Sequence, residues 1–166
     1  MTPREVLRKT PFFADVLGSA DLDRLAAKLE MRTFPRGVTI VRQGDLGASM
    51  FVLVDGKVTV SVHSRSGEER VATLGSGDVV GEMSLLTGAR RNATVVAARQ
   101  VTALEIAKPA LEDLLIGSAE LIGRFAETVE QRHAEIERIH EVDDRTRSVG
   151  LSRAEIATRM TAFYAG

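Results

Sequence analysis

The spacing of hydrophobic positions changes twice along the chain and divides it into three stretches. In residues 3–30 apolar side chains recur at helical spacing, as at Leu22 and Leu25, so this stretch predicts helices. Between residues 34 and 107 short β-branched runs alternate with glycines, which predicts many short strands joined by turns. The helical spacing returns after Pro109. The predicted order is therefore helices, a compact β unit and helices again.

Two turn signals organise the β unit. Asp55-Gly56 stands between two β-branched runs, and both residue types tolerate the positive φ of a tight turn, so the sequence predicts a hairpin there. Ser66-Gly67 predicts a second hairpin. Residues 58–62 alternate valine with polar residues, which indicates a strand with one buried face. Short strands at such regular spacing predict a sandwich or barrel.

The helical stretch after the β unit carries an apolar stripe at heptad spacing, which is typical of a helix that packs along another helix. Its members are Ile122, Phe125, Val129, Arg132, Ile136 and Ile139. Arg132 stands where an aliphatic residue is expected. The tail, residues 143–166, begins polar and ends in a predicted short amphipathic helix with Ile156, Met160 and Phe163 on its apolar face.

Composition and charge exclude several classes of protein. A chain of 166 residues with 44% hydrophobic and 27% charged residues is typical of one soluble globular domain. The net charge of −1, the scattered Lys and Arg and the lack of Trp argue against a nucleic-acid partner. Without cysteine there is no disulfide, thiolate nucleophile or cysteine zinc site. No apolar run reaches the length of a membrane span, so we expect a cytoplasmic protein without membrane contact.

One segment interrupts the β unit and carries groups suited to an anion. Gly81 permits a sharp exit from a strand and the close approach of a ligand. Helix-forming residues follow, and Gly88 ends them after little more than one turn. The start of such a helix presents N–H groups to an anion, and Arg91 adds a fork of donors suited to phosphate oxygens. Glu82 can accept from a sugar hydroxyl, so the segment predicts a site for a phosphate joined to a ribose.

Segment 81–95 resembles the phosphate-binding cassette of cyclic-nucleotide-binding domains. The family pattern is roughly Gly-Glu-Leu-Ala-Leu-Leu, a short spacer and Pro-Arg-x-Ala-Thr. This chain reads Gly-Glu-Met-Ser-Leu-Leu from Gly81 and Arg-Arg-Asn-Ala-Thr from Arg90. The family includes protein kinase A regulatory subunits, catabolite-activator-type regulators and gated channels. The resemblance covers about residues 5–140.

The resemblance implies an α+β fold: an antiparallel, jelly-roll-like β-roll with N-terminal helices, a short cassette helix and C-terminal lid helices. We expect a single domain over residues 1–166. Its expected parts are N-terminal helices in 1–33, the β-roll in 34–107 with the cassette in 81–95, C-terminal helices in 109–142 and the tail in 143–166.

The resemblance also implies how the ligand is held. Arg91 pairs with the cyclic phosphate, Glu82 accepts from the ribose 2′-OH, and backbone N–H groups around Met83, Ser84 and Ala93 complete the phosphate cradle. The expected ligand is cAMP or cGMP, with no further cofactor. The full expected binding set is Val62, Val80, Gly81, Glu82, Met83, Ser84, Arg91, Asn92, Ala93 and Arg132.

The base is expected to meet Val62 and Val80 as apolar walls. Two positions depart from the family pattern. Arg90 replaces the usual proline, which loosens the loop but keeps the phosphate arginine. Asn92 stands where the family has threonine for cGMP and alanine or serine for cAMP, and its amide suits either a phosphate oxygen or a guanine. We favour cAMP because the threonine is absent.

Arg132 has two interpretations. In one, the long helix closes over the pocket as a lid and Arg132 reaches the purine, as the resemblance to channel-type members supports. In the other, the stripe over 122–139 is a dimer coiled coil in which Arg132 sets the register. We prefer the lid.

The sequence gives little support for a metal site, a DNA-binding motif or a catalytic site. A metal site of the cupin kind needs two histidines one residue apart on a strand, whereas His63 is alone on its strand and His133 and His140 are on a helix. Residues 151–157 resemble the opening of a helix-turn-helix, but too few residues follow for a recognition helix. We therefore expect neither a metal nor an enzyme.

The sequence-level hypothesis is a regulatory domain that senses a cyclic nucleotide and signals through its C-terminal helix. We expect it to serve a larger protein such as a gated ion channel, in which case it is the cytoplasmic domain of a membrane protein. The alternative is the sensor half of a catabolite-activator-type transcription regulator without its DNA-binding domain, which predicts a dimer through the 122–139 helix.

Overall fold

The computed structural model of the chain describes residues 1–139 and 152–164, with side chains in 1–131 and 152–164. Its helices and strands follow the order predicted from the sequence. They are α1 (Pro3–Arg8), α2 (Pro11–Ala14), α3 (Ser19–Ala26), β1 (Glu30–Phe34), β2 (Thr39–Val41), β3 (Ser49–Asp55), β4 (Lys57–Ser64), β5 (Gly67–Gly75), β6 (Val79–Val80), α4 (Glu82–Thr87), β7 (Thr94–Ala97), β8 (Val101–Ala107), α5 (Lys108–Leu115), α6 (Ala119–Ile139) and α7 (Arg153–Tyr164).

The first strand begins inside the stretch expected to be helical. β1 starts at Glu30 and pairs antiparallel with β8, where Glu30 lies opposite Glu105 and Phe34 opposite Val101. Arg32 on β1 also forms an ion pair with Glu105, at 2.8 Å between Nη1 and Oε2. The pairing with a distant strand therefore decides the conformation of this segment, which its local pattern leaves ambiguous.

The strands form two antiparallel sheets, in the orders β1-β8-β3-β6 and β2-β7-β4-β5. The hairpin predicted at Ser66-Gly67 is confirmed, since Ser64 on β4 lies opposite Gly67 on β5. The hairpin predicted at Asp55-Gly56 is wrong: β3 and β4 are consecutive but belong to different sheets. Gly56, at φ 107°, instead turns a corner between the sheets. The turn residues suit both geometries, and only the partner strands distinguish them.

Two apolar clusters hold the layers together, and β3 contributes to both. Phe51 and Leu53 point into the cluster between the sheets, where the rings of Phe51 and Phe34 meet edge to face at 5.7 Å. Met50 and Val52 point to the opposite side, into a cluster formed with the helices. Because both faces of β3 are buried, its sequence is apolar throughout instead of alternating.

The apolar stripe of α6 packs within the chain as far as its side chains are described. Phe125 is fully buried, and its ring centroid lies 5.6 Å from that of Phe12 and 6.0 Å from that of Phe13. Ile122 and Val129 join the same cluster. The remaining members of the stripe have no described side chains. The first half of α6 is thus a core helix of this domain.

The helix predicted at the end of the tail is α7. Ile156, Met160 and Tyr164 are buried against the rest of the domain, and Phe163 packs partly against it. α7 contacts both α4 and α6. Among the helices of the described residues, none combines the length and apolar character needed to cross a membrane.

Candidate functional site

Glycines at both ends define the short helix of segment 81–95. Gly81 precedes α4 at φ 85° and Gly88 follows it at φ 73°, and both are in the left-handed region that other residues rarely adopt. Leu85 and Leu86 are fully buried and anchor α4 in the core. The helix predicted between the two glycines is therefore confirmed.

A cavity of about 160 Å³ lies at the N-terminal end of α4. One part of its wall is polar and comes from residues 81–84 and 90–93. The other part is apolar and consists of Val41, Val60, Leu74, Val79, Val80 and Val95. The first N–H groups of a helix have no partner inside it, so the polar part offers donors at the start of α4. A wall divided in this way suits a ligand with an anionic end and a flat apolar end.

Arg91 supplies the charge of the polar part. Its side chain is almost entirely buried, at 8% exposure. Burial lowers the pKa of Arg91, and the carboxylates of Glu105 and Asp45 partly offset this effect. The guanidinium keeps its charge, because even a lowered arginine pKa lies far above neutrality. A buried cation at a cavity wall is a strong partner for an anionic ligand.

The backbone around Arg91 is tied to the loop that precedes β3. The N–H of Arg91 donates to the carbonyl of Asp45 at 2.9 Å, and the N–H of Gly44 donates to the carbonyl of Arg91 at 2.8 Å. Arg90 adds a bond from its Nη1 to the carbonyl of Gly44 at 3.0 Å. The replacement of the family's proline was expected to loosen this loop, but Arg90 instead ties it by an exposed side-chain bond to the loop before β3.

The structure brings eight of the ten predicted binding residues together at this cavity. They are Val80, Gly81, Glu82, Met83, Ser84, Arg91, Asn92 and Ala93. Val62 is not among the residues that line it, and Val60 is. β7 pairs with β4 only over residues 58–61, so Val62 lies on the part of β4 that extends past β7. Arg132 is in α6, but its side chain lies outside the described part of the structure.

Several residues of this site were missed at the sequence level. The walls Val41, Val60 and Leu74 belong to predicted strands, but which of their faces meets the cavity depends on how the sheets pack. Ser49, which accepts two hydrogen bonds from Arg91, has no motif that points to it. It lies 42 positions before Arg91, and only the fold brings the two together.

The histidines considered for a metal site are apart from this cavity where they are described. His63 is exposed on β4. The side chain of His133 and all of His140 lie outside the described residues. Within the described residues, no group of three or more His, Asp or Glu side chains is placed to hold a metal ion.

Comparison with known proteins gives consistent matches. The family model described as the cyclic nucleotide-binding domain matches residues 31–118. A cyclic nucleotide-gated potassium channel of Rhizobium etli is 34% identical over 128 residues, which cover 77% of this chain and 34% of the channel. A cAMP-dependent protein kinase regulatory subunit of Mycosarcoma maydis is 38% identical over 92 residues, 55% of this chain and 17% of that protein. The chain thus spans about a third or less of the length of these two relatives.

A solved structure matches most of the fold. It is the N-terminal domain of a transcriptional regulator from Streptomyces coelicolor, which superposes with a TM-score of 0.65 at 30% identity. The match covers 80% of this chain and 95% of that one. The matched share of this chain is larger than the β-roll, so the similarity extends beyond the roll.

Proposed function

The chain belongs to the cyclic nucleotide-binding domain family, and on that premise we propose that it is a non-catalytic sensor of cAMP or cGMP. The observation that carries the proposal is the nearly buried guanidinium of Arg91 at the wall of a cavity that is polar on one side and apolar on the other. A cyclic nucleotide has the matching division into an anionic phosphate, a hydroxyl-bearing sugar and a flat base.

In this proposal each part of the ligand has its own partners. Arg91 pairs with the cyclic phosphate, and N–H groups at Met83, Ser84 and Ala93 share its charge. Glu82 accepts from the ribose 2′-OH. The base lies against the valines of the apolar wall, and Asn92 contacts either the phosphate or the base. We favour cAMP over cGMP because the threonine associated with cGMP in this family is absent.

Signal transmission is proposed to run through α4, because this helix contacts both the cavity and the C-terminal helix α7. Its N-terminal end lines the cavity, and its C-terminal end contacts α7. The hydroxyl of Tyr164 donates to the carbonyl of Leu85 at 2.7 Å, and both groups are buried. The ring of Phe163 lies so close to Gly88 that a Cβ there would be 2.7 Å from it. A ligand that draws α4 towards the cavity must therefore displace α7 or carry it along.

The lid interpretation requires such a rearrangement. None of the residues of α5, α6 or α7 whose side chains are described lines the cavity. Closure over the base by these residues therefore needs a second conformation, which a ligand favours only through a higher affinity for it. The role of Arg132 in reaching the purine remains part of this proposal.

The output is proposed to be a larger cytoplasmic assembly, such as the gate of a channel. The second candidate is the sensor half of a catabolite-activator-type regulator, which the match to the Streptomyces coelicolor domain favours. That candidate predicts a dimer through the stripe of α6. Ile122, Phe125 and Val129 are buried within the chain, which argues against a dimer through this half of the stripe. Light scattering distinguishes a dimer from a monomer.

Calorimetric titration with cAMP and with cGMP tests the proposal. We expect Arg91→Ala to weaken binding by about one to three orders of magnitude, because it removes a buried charge-assisted partner of the phosphate. Arg91→Lys keeps the charge but loses the fork, and we expect an intermediate loss. Arg65→Ala, in the exposed turn between β4 and β5, is the control that should bind like the wild type.

Thermal unfolding first shows that each variant is folded, so that a loss of binding is not mistaken for a loss of the fold. Binding by the wild type and Arg65→Ala, with loss in Arg91→Ala, supports the sensor. A folded wild-type protein that binds neither nucleotide overturns it. The ratio of the two wild-type affinities decides between cAMP and cGMP.

A further inference from the structure

Ser49, the first residue of β3, receives the end of the Arg91 side chain. Nη1 of Arg91 donates to the backbone carbonyl of Ser49 at 2.6 Å, and Nη2 donates to its Oγ at 3.0 Å. One residue thus provides an acceptor to each terminal nitrogen of the guanidinium. A guanidinium has about five N–H groups, so roughly three remain for other partners.

Two glycines enclose the same guanidinium. A Cβ built on Gly47 would lie 2.7 Å from both Nε and Nη2, and one built on Gly81 would lie 2.5 Å from Nη1. Real Cβ atoms do not approach so closely, so any side chain at either position would displace the guanidinium. Gly47, Gly81 and Ser49 therefore form a slot that closely encloses the end of the Arg91 side chain.

The floor of this slot is rigid because it is part of a sheet. Ser49 pairs with Ala107 on β8, and the N–H of Lys108 donates to the carbonyl of Ala48 at 2.9 Å. Arg91, in contrast, lies in the loop between α4 and β7. The side chain of Arg91 is therefore held by the rigid strand β3, although its own backbone lies in a loop.

We propose that Ser49 is a positioning residue that aims the Arg91 guanidinium at the phosphate of the ligand. The inference rests on the proposed function, since it assigns a partner to the phosphate-binding arginine of that site. A bidentate contact depends on the direction of the fork as well as on its charge. The backbone carbonyl of Ser49 persists in every variant, so the hydroxyl is the part that mutation can remove.

We expect Ser49→Ala to weaken cyclic-nucleotide binding by about 3- to 20-fold, because Nη2 loses its acceptor and the fork is no longer held at both ends. Ser49→Thr keeps the Oγ and should restore most of the affinity. Ser76→Ala is the matched control: it also removes a hydroxyl close to a strand end, one that donates to the carbonyl of Val54 at 2.8 Å, but at a position outside the cavity.

A double-mutant cycle separates positioning from a merely structural effect. Lysine has no planar fork to aim, so Ser49→Ala should cost much less affinity in an Arg91→Lys background than in the wild type. The experiment is calorimetric titration of the wild type, both single variants and the double variant with the better-bound of cAMP and cGMP. Thermal unfolding of each variant shows that it is folded.

Each possible result of the cycle either supports or overturns the role proposed for Ser49. A loss in Ser49→Ala that Ser49→Thr restores, and that shrinks in the Arg91→Lys background, supports the inference. Equal binding by the wild type and Ser49→Ala overturns the inference and leaves the sensor function standing. An equal loss in both backgrounds overturns it too, because Ser49 would then act independently of Arg91. A wild-type protein that binds neither nucleotide overturns the sensor function, and the inference with it.

Discussion

The contact between Tyr164 and α4 allows a quantitative prediction for Tyr164→Phe. The carbonyl of Leu85 lies in the last turn of α4, where helix carbonyls have no partner within the helix. The hydroxyl of Tyr164 supplies that partner at 2.7 Å. Tyr164 is only 2% exposed, so water cannot take its place. Replacement by phenylalanine keeps the ring and its packing but leaves the carbonyl buried without a donor.

The expected cost is about 1–3 kcal/mol in the free energy of unfolding, the range found when one partner of a buried hydrogen bond is removed. For a domain of this size, about 1 kcal/mol corresponds to roughly 2–4 °C in Tm. We therefore expect Tm to fall by about 2–12 °C. Thr161→Val on the same helix is the control, because its hydroxyl donates to the carbonyl of Ala157 on the exposed side. We expect it to change Tm by less than about 2 °C.

The difference in unfolding free energy between the wild type and Tyr164→Phe should also depend on pH. Burial raises the pKa of the Tyr164 phenol above its ordinary value, and the nearby Glu112 carboxylate adds to this effect. The cation Lys108 lies over the ring, 5.6 Å from its centroid. Because the folded pKa is raised, the hydroxyl contributes its full stability below about pH 10 and loses it as the pH rises further towards the folded pKa.

Urea denaturation from about pH 7 to 11 measures both effects. The wild type should exceed Tyr164→Phe in unfolding free energy by a constant amount up to about pH 9, and the difference should narrow above about pH 10. Equal stability of the two proteins near neutral pH would refute the idea that this hydroxyl caps α4. A difference that widens at high pH would refute the assigned direction of the pKa shift.

Two further predictions concern the C-terminal helices and the corner between the sheets. If α6 closes over the ligand, amides in 119–139 should gain protection from hydrogen exchange when cyclic nucleotide is added, and unchanged protection would exclude the lid. Gly56→Ala should destabilise the domain by about 2–4 kcal/mol in urea denaturation, because its Cβ would overlap the carbonyl oxygen of Gln100 while the backbone is held at φ 107°. Gly67→Ala is the control for backbone strain alone, because φ there is 111° and an added Cβ would have no neighbour within 4 Å. If both variants lose the same unfolding free energy, the contact with Gln100 does not contribute to the loss at Gly56.

Features set by local backbone chemistry were predicted from the sequence. The short helix α4 is bounded by Gly81 and Gly88, whose left-handed conformations end it on both sides. The start of α5 follows from Pro109, since proline suits the first turn of a helix. The resemblance of segment 81–95 added the chemistry, and eight of the ten expected binding residues do meet at one cavity.

Features that depend on distant partners were not predictable in this way. Asp55-Gly56 satisfies the local requirements of a hairpin, yet its flanking strands pair with β8 and β7 in different sheets. Val60 and Val62 have the same local pattern, but Val60 lies opposite Val95 of β7, which also lines the cavity, whereas Val62 lies past the end of this pairing.

The sequence by itself determined where most helices, strands and turns fall and which segment carries groups suited to an anion, because φ preferences, helix ends and charge act over a few residues. The tertiary structure alone decided which strands pair, which valines face the cavity and that Ser49 holds Arg91. These outcomes depend on residues far apart in the chain that meet only when two sheets and the helices pack against one another. The identity of Arg91 is thus a property of the sequence, and its orientation is a property of the fold.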